Sequence, residues 1–304
     1  MYHLTVDTVQ LFIDTQTDLV ARLERNLFEP VYGRGLQIIE WSDYVRAGKI
    51  MVPQKHVSTK VNAVYDTIVN EATITNIQSE FTFPEKEFVV PEEYTFNQAQ
   101  GTKDCELQKL ADNLYLLESI EGSGGAYHNL IAEFADYILV AESPVDINVS
   151  RKVIAKLREL FPGKPVRYLV QSHHHNDHIG GVWGYVEAGA TLVTTPNAGK
   201  LVSKMAEARR TSIAPTLDLV NKSKSIKDSR NECIVLDFGP HAHANEILVL
   251  YFPKQKLIHQ ADLEIDSDEF RQAIKSFNLD VEIITSVHDD ILKGQSVKDV
   301  LGKK

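Results

Sequence analysis

The chain has little cysteine, no long apolar run and no excess of positive charge. Two cysteines in 304 residues, Cys105 and Cys233, leave room for one disulfide in an oxidising compartment or for two reduced thiols. No stretch approaches the roughly 18 uninterrupted apolar residues of a membrane span, so no transmembrane helix is expected. The start, Met1-Tyr2-His3-Leu4-Thr5-Val6-Asp7, lacks the basic beginning and apolar centre of a signal peptide. A cytoplasmic location follows unless a leader lies outside this sequence, in which case the periplasm or secretion follows. With 32 Lys and Arg against 42 Asp and Glu, the formal net charge is −10. Nucleic-acid backbones are bound through clustered Lys and Arg, and no basic stripe with interleaved aromatics is present, so no nucleic-acid partner is expected. Internal repeats and low-complexity tracts are missing too.

What is present is an ordinary globular composition, 43% hydrophobic and 24% charged, long enough for one large domain and a small one. One heptapeptide stands out: Ser172-His173-His174-His175-Asn176-Asp177-His178. It contains His-x-His-x-Asp-His at His173, His175, Asp177 and His178. Imidazoles at alternate positions, with a carboxylate–imidazole pair beside them, are nitrogen and oxygen ligands for a borderline ion such as Zn²⁺. Four such groups, with more to come downstream, are too many for one tetrahedral ion. They suit two neighbouring ions, a standard device for generating hydroxide at neutral pH. The run Val166–Val170 reads as a buried strand before the cluster, and residues 179–186 as a loop leading into a helix. The cluster therefore sits at the carboxyl end of a strand, where α/β sheets place ligand sites.

Further candidates lie at strand edges. Gly239-Pro240-His241-Ala242-His243 precedes a strand-like run from Ile247 to Phe252. Gln260-Ala261-Asp262-Leu263 follows it, and His288 directly follows a β-rich run, Val281–Val287. His174, His128 and His259 read as non-ligands. Tyr127, His128 and Asn245 are candidate substrate contacts.

With these landmarks in this order, residues 105–300 resemble the metallo-β-lactamase fold superfamily. The resemblance implies an α+β fold, an αββα sandwich with metals at one edge of the paired sheets. It implies that His173, His175 and His243 hold one metal, that Asp177, His178 and His288 hold the second, and that Asp262 bridges them. Counting back from the strand end at Pro253 favours His243 over His241. Neither cysteine falls at a ligand position, and an all-His/Asp site resembles the hydrolase branches acting on lactones, thioesters and phosphoesters. Two Zn²⁺ are expected, although Asp oxygen ligands also admit Mn²⁺ or Fe²⁺. The expected chemistry is hydrolysis of an ester, lactone or related acyl substrate by a metal-bridging hydroxide that Asp177 orients. No Gly-rich phosphate cradle and no Arg cluster near the ligands argues for phosphate. An iron-dependent sulfur dioxygenase and a phosphodiesterase or nuclease on the same fold are the alternatives, with a non-enzymatic binding protein behind them. The partner is a small molecule, and self-association into a homo-oligomer fits as well.

The catalytic domain is expected over residues 101–304, with a β-rich region over 1–100. In that region Gln37–Tyr44 and Ile50–Pro53 flank a turn at Ala47-Gly48-Lys49. Val61–Asp66 and Ala72–Gln78 read as further antiparallel strands, and two prolines between Phe81 and Pro91 mark a boundary. The region resembles lipoprotein-carrier-like domains; a β appendage that covers the catalytic domain or mediates dimerisation is the other reading. In the catalytic half, Leu114–Glu118, Leu130–Phe134 and Tyr137–Ala141 read as strands. Asp146–Leu160 reads as a helix with an apolar face of Val153, Ile154, Leu157 and Leu160. From Pro196 to Asn231 helix plus loop is expected, with Lys222–Lys227 as a solvated loop.

Overall fold

A computed structural model describes residues 9–29, 32–62, 64, 67–77, 106–120, 127–209, 212–288 and 291–302. Cys105, the Phe81–Pro91 boundary and the Gly122–Gly125 turn lie outside the described residues. The chain divides into two compact units, Met1–Gly101 and Thr102–Lys304.

The first unit is an antiparallel meander, β1 (Val9–Ile13), β2 (Val20–Glu29), β3 (Gly33–Ala47), β4 (Ile50–Asn62) and β5 (Ile68–Thr73), paired in chain order. Gly48 takes φ 60° in the tight β3–β4 turn, a conformation without steric cost for glycine. Pro53 pairs with Tyr44 but lies outside the β4–β5 ladder, which spans Lys55–Lys60 on β4. Its missing N–H therefore costs no bond to β5. The expected strands 61–66 and 72–78 are displaced: β4 runs through to Asn62 and β5 occupies 68–73. Both expectations rested on alternation of apolar and polar residues, which marks a strand better than its ends.

The second unit holds two sheets. The first contains β6 (Leu107–Ala111), β7 (Leu114–Ile120), β8 (Tyr127–Glu133), β9 (Ile138–Ala141), β10 (Val166–Val170), β11 (Thr191–Thr194) and β12 (Thr216–Leu219). Its order is β12-β11-β10-β9-β8-β7-β6, with β9 to β12 parallel. The second contains β13 (Ser223–Lys227), β14 (Glu232–Asp237), β15 (Leu248–Phe252), β16 (Leu257–Gln260), β17 (Ile283–Ser286) and β18 (Leu292–Lys293), also in chain order. The helices are α1 (Ile147–Leu160), α2 (Asn176–Ile179), α3 (Val182–Glu187), α4 (Pro196–Arg209), α5 (Asp268–Ser276) and α6 (Gln295–Gly302).

The sheets bury one core between them. Leu116, Leu130, Leu139, Val170 and Val193 from the first meet Val235, Leu248, Leu250 and Phe252 from the second. On β15 the alternate residue Val249 faces the other way, joining Phe270 and Ile274 of α5 and Val297 of α6. All five β15 side chains are buried, a contribution on the order of 10 kcal/mol before chain entropy is set against it. On the far side of the first sheet, Phe161 at the end of α1 lies edge-on to Tyr115 of β7, centroids 5.5 Å apart. The layers are thus αββα.

Three local expectations are corrected. Residues 196–231 are not helix plus loop: α4 is followed by strands β12 and β13. The Lys222–Lys227 stretch is mostly β13: Ile226 enters the core, while the half-buried Lys224 on the same face pairs with Asp218 at 2.9 Å; three lysines in six residues hid an edge strand. Leu160 is 37% exposed and stands outside the buried face of α1, where Ser150 takes a place instead.

Candidate metal centre

Four strand ends and one short helix bring the candidate residues together. His173 follows β10, Asp262 follows β16 and His288 follows β17, while His243 lies on the loop leading into β15. Asp177 and His178 lie in α2, so the tail of the motif is helical rather than loop. That turn is locked from behind. The amides of Ser143 and Val145 donate to the carbonyls of His178 and Asp177, at 3.1 Å each, and Gly181 donates to Ser143 at 2.7 Å. A Cβ on Gly180 would stand 2.0 Å from the Val145 carbonyl oxygen, and one on Gly181 2.1 Å from Ser150 Oγ. Glycine there is a packing requirement. The second sheet is tied to the same edge by Leu248 N–H donating to the Ser172 carbonyl and His128 N–H to that of Val287, both at 2.9 Å.

The Asp262 carboxylate is the hub. Its Oδ2 lies 2.9 Å from His178 Nε2, 3.0 Å from His243 Nε2 and 3.3 Å from His173 Nε2, and its Oδ1 lies 3.2 Å from His288 Nε2. Two pairs of imidazole nitrogens face each other at 3.2 Å, His173 with His243 and His178 with His288. The His175 ring stands 4.6 Å and 4.5 Å from those of His173 and His243. Asp177 Oδ2 is 3.4 Å from His178 Nε2 and 3.9 Å from His288 Nε2. Two quartets emerge, His173–His175–His243–Asp262 and Asp177–His178–Asp262–His288, each with one ligand atom per residue, all within 4.8 Å of one another. Bonds of about 2.0–2.1 Å in a tetrahedron put neighbouring ligand atoms about 3.3 Å apart. The observed separations fit that figure, and the all-nitrogen-and-oxygen donor set suits zinc or a harder divalent ion.

The electrostatics point the same way. Burial works against a charged His178, but hydrogen bonds to Asp177, Asp262 and Glu142 outweigh it and lift its pKa to about 12. The His178 hydrogen bond is the largest influence lowering Asp177 to about 2. Burial opposes ionisation of Asp262, yet His173, His178 and His288 hold it far below the usual carboxylate range. A field that favours a proton this strongly favours a cation. By contrast burial, with neighbouring imidazoles, pushes His175 and His243 down, keeping them neutral as metal ligation requires.

The backs of the imidazoles are held as well. Ser172 Oγ lies 2.9 Å from His173 Nδ1, and Glu142 Oε2 lies 3.2 Å from His178 Nδ1. With each Nδ1 as the donor, each Nε2 is the nitrogen turned to the site and the one a metal would take. Sequence reasoning missed Glu142. It is 1% exposed, accepts from Gln171 Nε2 at 3.0 Å and from Ser172 N–H at 3.1 Å, and sits at φ 70°. A buried, non-glycine residue in left-handed backbone is held by its surroundings. The signal was a carboxylate directly after the all-apolar strand β9. His241 is outside both quartets, and its Nδ1 accepts from the His243 amide at 3.3 Å. His174 is exposed and His259 buried, its Nδ1 3.0 Å from Thr285 Oγ1. Of the candidate substrate contacts, Tyr127 stands edge-on to His288 at 4.7 Å, and Asn245 lines a cavity beside His173.

The sequence model of the metallo-β-lactamase superfamily matches residues 146–274. That segment, within the second unit, is similar in sequence to this superfamily. The metallo-β-lactamase match includes the motif, His243 and Asp262. A type 2 metallo-β-lactamase of Elizabethkingia meningoseptica is 25% identical over 162 residues, 52% of this chain and 62% of that protein, so the likeness spans under two thirds of that relative. Among solved structures, a metallo-β-lactamase from Pontibacter korlensis superposes with TM-score 0.52 at 15% identity, covering 65% of this chain and 97% of that one. The FIM-1 metallo-β-lactamase of Pseudomonas aeruginosa, in a mono-zinc form, gives 0.51 at 16%, covering 66% and 94%. At these identities the superpositions show the metallo-β-lactamase fold.

Proposed function

We propose that residues 101–304 form the catalytic domain of a metal-dependent hydrolase with a binuclear site, acting on a carboxylic ester or lactone. The observation that carries this reading is the sharing of Asp262 between two quartets of ligand-spaced atoms. In it His173, His175 and His243 hold one ion, Asp177, His178 and His288 the other, and Asp262 both. Zinc is the expected ion. Two such ions supply an activated water at neutral pH and polarise the substrate carbonyl.

The protein's own part is positional. Ser172 and Glu142 fix the tautomers of His173 and His178, and Asp262 spaces the two groups. Asp177, ionised with a pKa near 2, orients the attacking water by accepting its hydrogen bond, and is too weak a base to remove a proton from free water. The Tyr127 phenol, raised by burial and by Asp177, stays protonated and serves as a donor at the His288 side. The ester or lactone assignment is supported by the lack of any Gly-rich phosphate cradle or Arg cluster near the ligands in the sequence.

Elemental analysis of the purified protein together with an ester, lactone, thioester and phosphodiester panel tests the proposal. Two zinc per chain and ester or lactone turnover lost in His175→Ala are expected. Full activity in His175→Ala, or one iron per chain with oxygen consumption, would overturn it.

A further inference from the structure

Two cavities open on the candidate metal centre. One, of about 280 Å³, meets His173 and His174 and is walled by Ala198 and Leu201, with Asn197 Nδ2 donating to Glu246 Oε1 at 2.7 Å across it. The other is a groove of about 640 Å³, a size that holds a small organic molecule, lined by His243, Asp262 and His288 and continuing over Leu263, Glu264, Ile265, Asp266 and Leu292. Among the described residues no Lys or Arg lines either one. Arg271, close in sequence, is spent elsewhere: it donates to Asp268 Oδ1 and to the carbonyls of Asp266 and Val300. Sequence extends the pattern. The described segments 172–178, 239–246 and 260–266 hold Asp177, Glu246, Asp262, Glu264 and Asp266, and no Lys or Arg.

Beyond the ligand cluster, a carboxylate or phosphate on the substrate therefore finds no cationic side chain among the described lining residues and meets Glu264 and Asp266 instead, a like-charge juxtaposition that disfavours it. An alkylammonium group finds the opposite: apolar contact from Leu263, Ile265 and Leu292 for its carbons, and carboxylates for its charge. We propose, building on the hydrolase reading above, that the groove takes a cationic ester, with Glu264 and Asp266 the residues that select its ammonium group. Both are exposed, two and four residues beyond Asp262, and neither belongs to a quartet.

Calorimetric titration of the full chain tests this: carbamoylcholine against its uncharged isostere 3,3-dimethylbutyl carbamate on zinc-loaded protein, and both together with a carboxylate-bearing counterpart on chelated protein, where no zinc is present for a carboxylate to ligate. Two solvent-exposed carboxylates predict about fivefold tighter binding of the cation than of the neutral isostere, with the carboxylate weakest. The Glu264→Gln/Asp266→Asn double variant brings the three within about twofold, as does raising salt to about 0.5 M, where exposed charges are screened within a few ångströms. Equal affinities in the unmodified protein, an unchanged order in the double variant, or no binding of any of the three overturns the proposal. An ester panel without turnover, with the binding order intact, removes the hydrolase reading while supporting the charge preference of the groove.

Discussion

Replacing Glu142 with Gln separates a positioning role from a merely structural one. The side chain keeps its shape, and the cost of the left-handed backbone at φ 70° is common to both residues. The hydrogen-bond inventory changes. Oε1 accepts from the Ser172 amide at 3.1 Å, and Oε2 accepts from Gln171 Nε2 at 3.0 Å with His178 Nδ1 at 3.2 Å. An amide has one acceptor end. If its oxygen stays toward His178, its NH₂ opposes the Ser172 N–H. If it turns, the NH₂ faces His178 Nδ1, which must then accept, and the ring proton moves to Nε2, where it blocks ligation. Loss of such a supporting carboxylate costs roughly 10- to 100-fold in metal affinity, or about 1.4–2.7 kcal/mol. Competition with a chelator of known zinc affinity measures it: the weaker of two zinc sites should fall by that factor and the stronger much less. Glu133→Gln is the control. Glu133 accepts from Lys164 Nζ at 2.7 Å and Arg230 Nη2 at 3.1 Å, at the opposite end of β8 from Tyr127, about 20 Å along the strand. It should lower thermal stability and leave zinc affinity alone. Two zinc bound to Glu142→Gln with unchanged affinities would refute the reasoning.

Metal binding should release at least one proton per chain at pH 7, because His178 is protonated with a pKa near 12 before an ion displaces its proton; calorimetry in buffers of different ionisation enthalpy counts it, and zero release would contradict the electrostatics. Gly180→Ala should destabilise the second unit by about 1–3 kcal/mol or more, since its Cβ would stand 2.0 Å from the Val145 carbonyl oxygen; an unchanged melting temperature would show that the 143–146 loop yields. Asp228 is held below its ordinary pKa: burial raises it, but the amides of Ala135, Asn231 and Arg230 outweigh that. A carboxylate lowered on folding stabilises above its unfolded pKa near 3.8 and loses that contribution as pH falls through the lower folded value. The melting-temperature gap between the protein and Asp228→Asn should therefore be full at neutral pH and close in strong acid.

Individual strands and helix α1 were legible because they carry period-two and period-3.6 patterns, whereas the sandwich arrangement came from the family resemblance. Asp146 accepts from the amides of Asn148 and Val149 and opens α1 where the apolar spacing begins. Lys222–Lys227 was misread because a short, lysine-rich edge strand looks like a solvated loop. The candidate site was legible in part: His173, His175, Asp177 and His178 are singled out by type and spacing, His243, Asp262 and His288 by the family resemblance, and the structure gathers all seven. Glu142 was not, because a lone glutamate among 42 acidic residues carries no mark until its burial and its φ are known. The charge of the groove belongs to loops read for ligands, where acids are commonplace and the missing cations go unnoticed.

The site is built across a seam. His173, His175, Asp177 and His178 hang from the first sheet, whereas His243, Asp262 and His288 hang from the second, and both quartets take members from each. Ions bound there would act as rivets at the open edge of the sandwich, where the Leu248 and His128 amides already stitch the sheets together. Splaying the layers would then require surrendering the metals, so ion concentration would set how often the edge breathes. Hydrogen exchange at those two amides would read the rivets directly, with no substrate required.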